Sequence, residues 1–187
     1  MCMEKLKILG IAGSLRRHSY NKMLIAAAKE LCPENAEFEI FDIEGLPVYN
    51  EDIEVEGMPE RAKELREAIR SADALLISTP EYNRSVPGPL KNAIDWASRP
   101  PSDNVFNEKP VATMGASAGM FGTIVAQYHL REIFSFLNAH PLERPQIFVS
   151  RAKEKMTDGK LTDEETRKMI KELLENLVEW AIRTKRK

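Results

Sequence analysis

Five short apolar runs, each followed by a stretch of helical periodicity, alternate along this chain, and that alternation constrains its fold more than any other feature. The runs span residues 6–12, 37–43, 74–79, 110–114 and 146–149. The run 74–79 is apolar throughout, as a central strand buried on both faces must be, whereas 37–43 partly alternates and suits a sheet edge. Behind the first run, Tyr20, Met23, Leu24, Ala27, Ala28 and Leu31 share one helical face, with Ser19 as N-cap and Pro33 as the stop. Later helical faces carry Ala62, Leu65 and Ile69, then Leu90, Ile94 and Ala97, then Leu130, Ile133, Phe134 and Leu137. The last helix starts at a capping box from Thr162 to Glu165 and buries Met169, Ile170, Leu173, Leu174 and Leu177. Segment 46–52 reads as a loop, and Trp96 as core.

Right-handed crossovers turn this alternation into an α/β fold: a doubly wound parallel five-stranded sheet, order 2-1-3-4-5, with helices on both faces. With 187 residues, 43% of them hydrophobic, the chain forms one domain over 1–187 with a sizeable core. Ligands bind such sheets outside the carboxyl ends of the strands, at the switch point. The loops after strands one, three and four are therefore the candidate site.

The first loop, Gly13-Ser14-Leu15-Arg16-Arg17-His18-Ser19-Tyr20-Asn21, brings hydroxyls, an amide and a guanidinium to a helix N-terminus, where free N–H groups and the dipole favour an anion. It lacks the Gly-x-Gly-x-x-Gly of a dinucleotide site and the Gly-Lys-Ser/Thr of a triphosphate loop. Side chains must hold its phosphate instead: Arg16 as the ion pair, with Ser14, Ser19 and Asn21 as hydrogen-bond donors, which suits the terminal phosphate of a mononucleotide. The plainer alternative is a capped helix beside a solvated basic turn. In the second loop, Pro80-Glu81-Tyr82-Asn83-Arg84-Ser85-Val86-Pro87-Gly88, prolines stiffen both ends. Backbone N–H groups near Glu81, Tyr82 and Asn83 suit the ring heteroatoms of a flat ligand such as a flavin.

The third loop, Gly115-Ala116-Ser117-Ala118-Gly119, matches the nucleophile elbow of serine hydrolases. An elbow serine needs an acid and then a histidine further along the chain. Only His129 and His140 follow, the first on the helix directly after Ser117, with no strand end between them to carry the acid. The loop is better read as small residues that let a flat ring lie against backbone.

Other function classes are excluded by composition. A net charge of −2 and the lack of a basic-aromatic stripe argue against nucleic acid. No run is long enough to span a bilayer and no signal peptide is evident, so a cytoplasmic protein is expected. Cys2 and Cys32 make no disulfide framework, and no His/Cys spacing suggests a metal.

Gly13-Ser14-Leu15-Arg16 with Ser19 and Asn21, Pro80-Glu81-Tyr82-Asn83 with Ser85 and Pro87-Gly88, and Lys91-Asn92-Ala93-Ile94-Asp95-Trp96 together resemble the NADPH-dependent FMN reductase family, which includes quinone and chromate reductases and some azoreductases. The resemblance runs from about residue 5 to 149. It implies a flavodoxin-like fold, bound FMN, NADPH or NADH as electron donor, and two-electron transfer to a quinone-like, azo, chromate or flavin acceptor. Carried over residue by residue, Ser14, Leu15, Arg16, Ser19 and Asn21 hold the phosphate, Pro80, Glu81, Tyr82, Asn83 and Ser85 border the isoalloxazine, and Ser117 with Gly119 closes the third side. No side chain is required as acid or base. The family also implies a homodimer or homotetramer, with the stretch containing Val48, Tyr49 and Asn50 resembling the one that approaches a neighbour's flavin. A flavodoxin-like electron carrier is the alternative, and the small net charge argues against it.

Overall fold

The computed structural model describes residues 5–185; Cys2, Arg186 and Lys187 lie outside them. In chain order the elements are β1 (Leu6–Ala12), α1 (Tyr20–Glu30), β2 (Ala36–Phe41), α2 (Glu51–Glu56), α3 (Glu60–Ser71), β3 (Ala74–Ser78), α4 (Gly88–Ala97), β4 (Pro110–Ala116), α5 (Ile124–Phe136), β5 (His140–Pro141), β6 (Ile147–Val149), β7 (Met156–Thr157), β8 (Lys160–Leu161) and α6 (Glu164–Lys185). Strands β2, β1, β3 and β4 lie side by side in that order, all parallel, and β5 and β6 share the outer position beside β4. This is the doubly wound order 2-1-3-4-5 expected from the alternation.

Each sheet face is covered by its own helices because each strand alternates its side chains between faces. Ile8, Leu76, Ala112 and Met114 pack under Leu24 and Ile25 of α1 and Leu173, Leu174 and Leu177 of α6. Leu9, Ile11, Leu75 and Ile77 meet Leu65 and Ile69 of α3, Leu90 and Ile94 of α4, and Leu130 and Phe134 of α5. Trp96 is fully buried, as expected.

Beyond shifts of one or two residues at the ends of β2, β3, β4 and β6, three elements differ from the sequence expectation. The fifth strand is split: β5 pairs with Pro110 and Val111, β6 with Met114 to Ala116, and after Leu142, whose N still donates to Val111 O, residues 143–146 leave the sheet between them. Pro141 and Pro145 have no N–H for a ladder. The buried amide of Gln127 covers the break, donating to Ile147 O at 3.0 Å. Segment 46–52 is loop only as far as Asn50, whose side chain accepts from Asp52 N and caps α2. The cap of α6 is Asp163, which accepts from Thr166 N at 2.9 Å, one residue beyond the expected Thr162, whose hydroxyl turns to Lys155 O.

Candidate functional site

At the end of β1, Gly13 N donates to Ser78 O, and a Cβ at Gly13 would stand 2.7 Å from Leu90 Cδ2, so α4 packs directly on this turn. Ser14 and Ser19 are buried, with 2% and 4% exposure. Ser14 Oγ accepts from Arg16 N (3.3 Å) and Ser19 Oγ from Asn21 N (3.2 Å). Among the described residues neither hydroxyl proton has an acceptor, so both are free to donate outward. The first turn of α1 holds no acidic residue, which leaves its positive end uncompensated. Leu15, Arg16, Arg17 and His18 are exposed around these hydroxyls, and Arg16 spends one N–H on His18 O at 3.3 Å.

The Asn21 side chain is tied to the ends of the strands. Its Nδ2 donates to Ala116 O (3.0 Å), and its Oδ1 accepts from Ala116 N (3.0 Å) and Ser78 Oγ (2.9 Å). Pairing between β3 and β4 ends at Ser78 and Met114, so Ala116 lies beyond the ladder and Asn21 takes the place of the missing strand. Three of the four hydrogen bonds its amide can make are thus used to hold strand ends together.

The loop after β3 is equally occupied. Pro80 is buried, and Glu81 Oε2 accepts from Val125 N (2.9 Å) and Ala126 N (3.1 Å). It caps α5, whose preceding residue Thr123 provides no side-chain cap. Tyr82 and Ser85 exchange backbone hydrogen bonds of 3.2 and 3.0 Å around Asn83 and Arg84. The Tyr82 N–H is therefore committed inside the turn, while those of Glu81 and Asn83 have no acceptor among the described residues. Ser85 Oγ lies 3.0 Å from Nδ1 of His129, pinning the turn to α5, and the Tyr82 ring is 47% exposed.

The loop after β4 is tied to the outer strand: Ser117 N donates to Val149 O and Arg151 N to Gly119 O. A Cβ at Gly115 would lie 1.9 Å from Thr123 Oγ1 and 2.4 Å from Thr79 O, so only glycine fits there. At Gly119 a Cβ would meet only Ser117 Oγ, at 4.0 Å, an ordinary van der Waals contact. Met120 and Phe121 stand exposed beside it. Of the seven non-glycine residues with positive φ among the described residues, Asn83, Arg84, Thr123 and Arg151 lie in the loops that follow β3, β4 and β6, and Glu108, Asn138 and Asp158 lie elsewhere. For residues other than glycine and asparagine that conformation costs about 1–2 kcal/mol each. Such strain collects at ligand sites.

The family pattern of NADPH-dependent FMN reductase matches residues 6–154. An NAD(P)H-dependent FMN reductase of Pseudomonas aeruginosa is 49% identical over 181 residues, 96% of this chain and 97% of that one. The chain belongs to the NADPH-dependent FMN reductase family. A 2-hydroxy-1,4-benzoquinone reductase of a Burkholderia species is 42% identical, covering 94% of this chain and 96% of its own. Among solved structures, the flavoenzyme NAD(P)H:(acceptor) oxidoreductase FerB of Paracoccus denitrificans superposes with a TM-score of 0.86 at 35% identity, over 96% of this chain and 98% of its own. Membership makes this an oxidoreductase that works with FMN and a nicotinamide nucleotide.

The donor set of the reductase fits FMN. Two buried hydroxyls with uncommitted protons, an exposed guanidinium and an uncompensated helix end are what a terminal phosphate monoester needs. The hydrolase alternative fails on geometry. Among the described residues Ser117 Oγ bonds only to Gly119 O at 3.4 Å, His129 faces Ser85, and His140 pairs with Glu108 beside the amino end of β4.

The stretch 46–50 is held by its own chain. Asn92 and Trp96, one helical turn apart on α4, both donate to Pro47 O (2.9 and 2.8 Å), and Asn92 Oδ1 accepts from Tyr49 N. The Tyr49 hydroxyl donates to Glu54 Oε2 (2.8 Å), which also accepts from Arg99 Nε. That shared proton raises the Tyr49 pKa and holds the Glu54 carboxyl below its usual value. Tyr49 and Asn50 thus have partners in their own chain, although Asn50 is also exposed, and Val48 is turned to solvent at 82% exposure. The family signature at Asn92 and Trp96 is a loop clamp, recognisable in the sequence from its i, i+4 spacing.

Proposed function

We propose that this reductase carries two electrons as a hydride equivalent from NAD(P)H to a quinone, and that the three loops described above are its FMN site. The observation that carries this reading is the pair of buried hydroxyls, Ser14 and Ser19, whose protons have no acceptor among the described residues. Ser14, Leu15, Arg16 and Ser19 hold the phosphate, with Leu15 contributing backbone. Asn21 acts behind them, fixing the strand ends on which the cup is built. Pro80, the backbone of Glu81 and Asn83, the Tyr82 ring and Ser85 border the isoalloxazine. Ser117 and Gly119 close the third side, where the glycine presents no side chain to a flat ring.

When bound, FMN supplies the two-electron exchange. The protein orients the ring on loops that are already hydrogen-bonded to one another, and no side chain here is asked to act as acid or base. The quinone-reducing relative supports a small quinone as acceptor. Exposed apolar side chains at Val48, Met120 and Phe121 support a homodimer or homotetramer in which a second subunit walls in the acceptor. No helix among the described residues is long and apolar enough to cross a membrane, in keeping with work in the cytoplasm, where NAD(P)H is at hand.

The test is to release the cofactor by heat and chromatograph it, then assay a panel of quinones, azo dyes and chromate. About one FMN per chain with the highest kcat/KM on quinones is expected. Recovery of FAD would overturn the phosphate-cup reading, and activity on azo dyes or chromate alone would overturn the choice of acceptor.

A further inference from the structure

The turn between Tyr82 and Ser85 contains a residue that the fold itself does not require. Asn83 and Arg84 have φ of 50° and 60°, the left-handed values that a type I′ hairpin turn demands of both central residues. Asn–Gly is the usual pair: asparagine tolerates this conformation and glycine is free of its penalty, whereas an arginine at the second position is strained. The turn cannot swing to relieve that strain, because two backbone hydrogen bonds close it and Ser85 is bonded to His129 on α5.

No side-chain contact among the described residues offsets the strain at Arg84. Its guanidinium has no hydrogen bond or ion pair among the described residues. Arg61, Arg66, Arg70, Arg99, Arg131 and Arg167, in contrast, all pair with carboxylates. The acid nearest to it in the loop, Glu81, is engaged with the amino end of α5 and does not compete. The turn rises from the carboxyl end of β3, and the adjacent strand β1 carries the exposed Arg16 and Arg17 at the same end. A strained, unpaired, exposed cation at a strand end is the mark of ligand contact rather than of folding.

We propose that Arg84 binds a phosphate group of the incoming nicotinamide nucleotide, an inference that rests on the FMN-site reading above. A guanidinium holds phosphate through two parallel N–H bonds, which a lysine cannot reproduce. Either the 2′-phosphate of NADPH or the pyrophosphate common to both nucleotides has the required chemistry.

The test compares FMN-loaded wild type with Arg84→Gly and Arg84→Lys. Glycine is the preferred residue of this turn, so Arg84→Gly should fold and unfold at a Tm about 2–4 °C higher. Calorimetric titration with 2′,5′-ADP and with 5′-ADP should show binding weakened by about 10-fold or more in Arg84→Gly, the effect of losing a charge-assisted hydrogen bond. The KM for NADPH should rise similarly with little change in kcat, and Arg84→Lys should fall in between. Weakening confined to 2′,5′-ADP assigns the 2′-phosphate; weakening of 5′-ADP, with or without 2′,5′-ADP, assigns the pyrophosphate. Unchanged affinity for both on FMN-loaded protein overturns the assignment, as does a change in oligomeric state alone. Wild-type protein that takes up no FMN would overturn the FMN-site reading instead, so the two failures are distinct.

Discussion

Replacing Asn21 with alanine separates two roles that the sequence cannot tell apart. If the side chain works as the structure has it, the variant leaves Ala116 N–H, Ala116 C=O and the Ser78 hydroxyl without partners in a buried region. A buried polar group left unsatisfied costs about 1–3 kcal/mol, and taking the low end for each of the three gives a loss of about 3 kcal/mol. For a chain of this size that lowers the Tm by about 6–12 °C. The measurement belongs on apo-protein, since FMN binds only the folded state and its release would otherwise add to the loss. Asn21→Asp is the companion variant. It keeps both acceptor contacts but sets a carboxylate oxygen against the carbonyl of Ala116, and it should also destabilise the apo-protein. An apo Tm within about 2 °C of wild type, together with a large loss of FMN affinity, would refute the clamp and return Asn21 to the phosphate.

Three other outcomes are expected. Arg16→Ala should weaken FMN binding by about 1.5–3 kcal/mol, the range for a hydrogen bond to a charged group, measured by fluorescence titration of apo-protein; unchanged affinity would mean that Arg16 faces only solvent. Ser117→Ala should retain most reductase activity, and a serine-directed phosphonate should leave wild type unlabelled; stoichiometric labelling at Ser117 would revive the hydrolase. The Glu54 carboxyl is held below its usual value first by the Tyr49 hydroxyl and then by Arg99, so its contribution to stability is present above the unfolded carboxyl pKa of about 4.3 and is lost as pH falls through the lower folded value. Tyr49→Phe should therefore flatten the acid limb of the stability profile below that pH, and an unaltered limb would show that the pair carries none of it.

The order of the sheet and the three loops at its carboxyl end were legible because each strand is a local apolar run and each loop a local motif. The buried hydroxyls of Ser14 and Ser19 were legible for the same reason, since capping chemistry is written within a few residues. What stayed hidden depends on partners far apart in the chain. Asn21 reaches 95 residues to Ala116, and Glu81 reaches 44 to Val125, so neither side-chain role can be read from its own loop. The split of the outer strand was hidden too, because β5 is only two residues long and has no periodicity to read. The turn at Arg84 sits between these cases: its residues are local, but its positive φ values come from the tertiary setting.

The most direct measurement of the central claim is anaerobic mixing of the FMN-loaded protein with one equivalent of NADPH, followed by one equivalent of benzoquinone, with the flavin absorbance recorded throughout. The account predicts that the yellow colour bleaches within the enzyme's turnover time and returns in full on addition of the quinone, one nucleotide oxidised for each quinone reduced. A protein that stays yellow with NADPH, or that bleaches and is not reoxidised by the quinone, would contradict it.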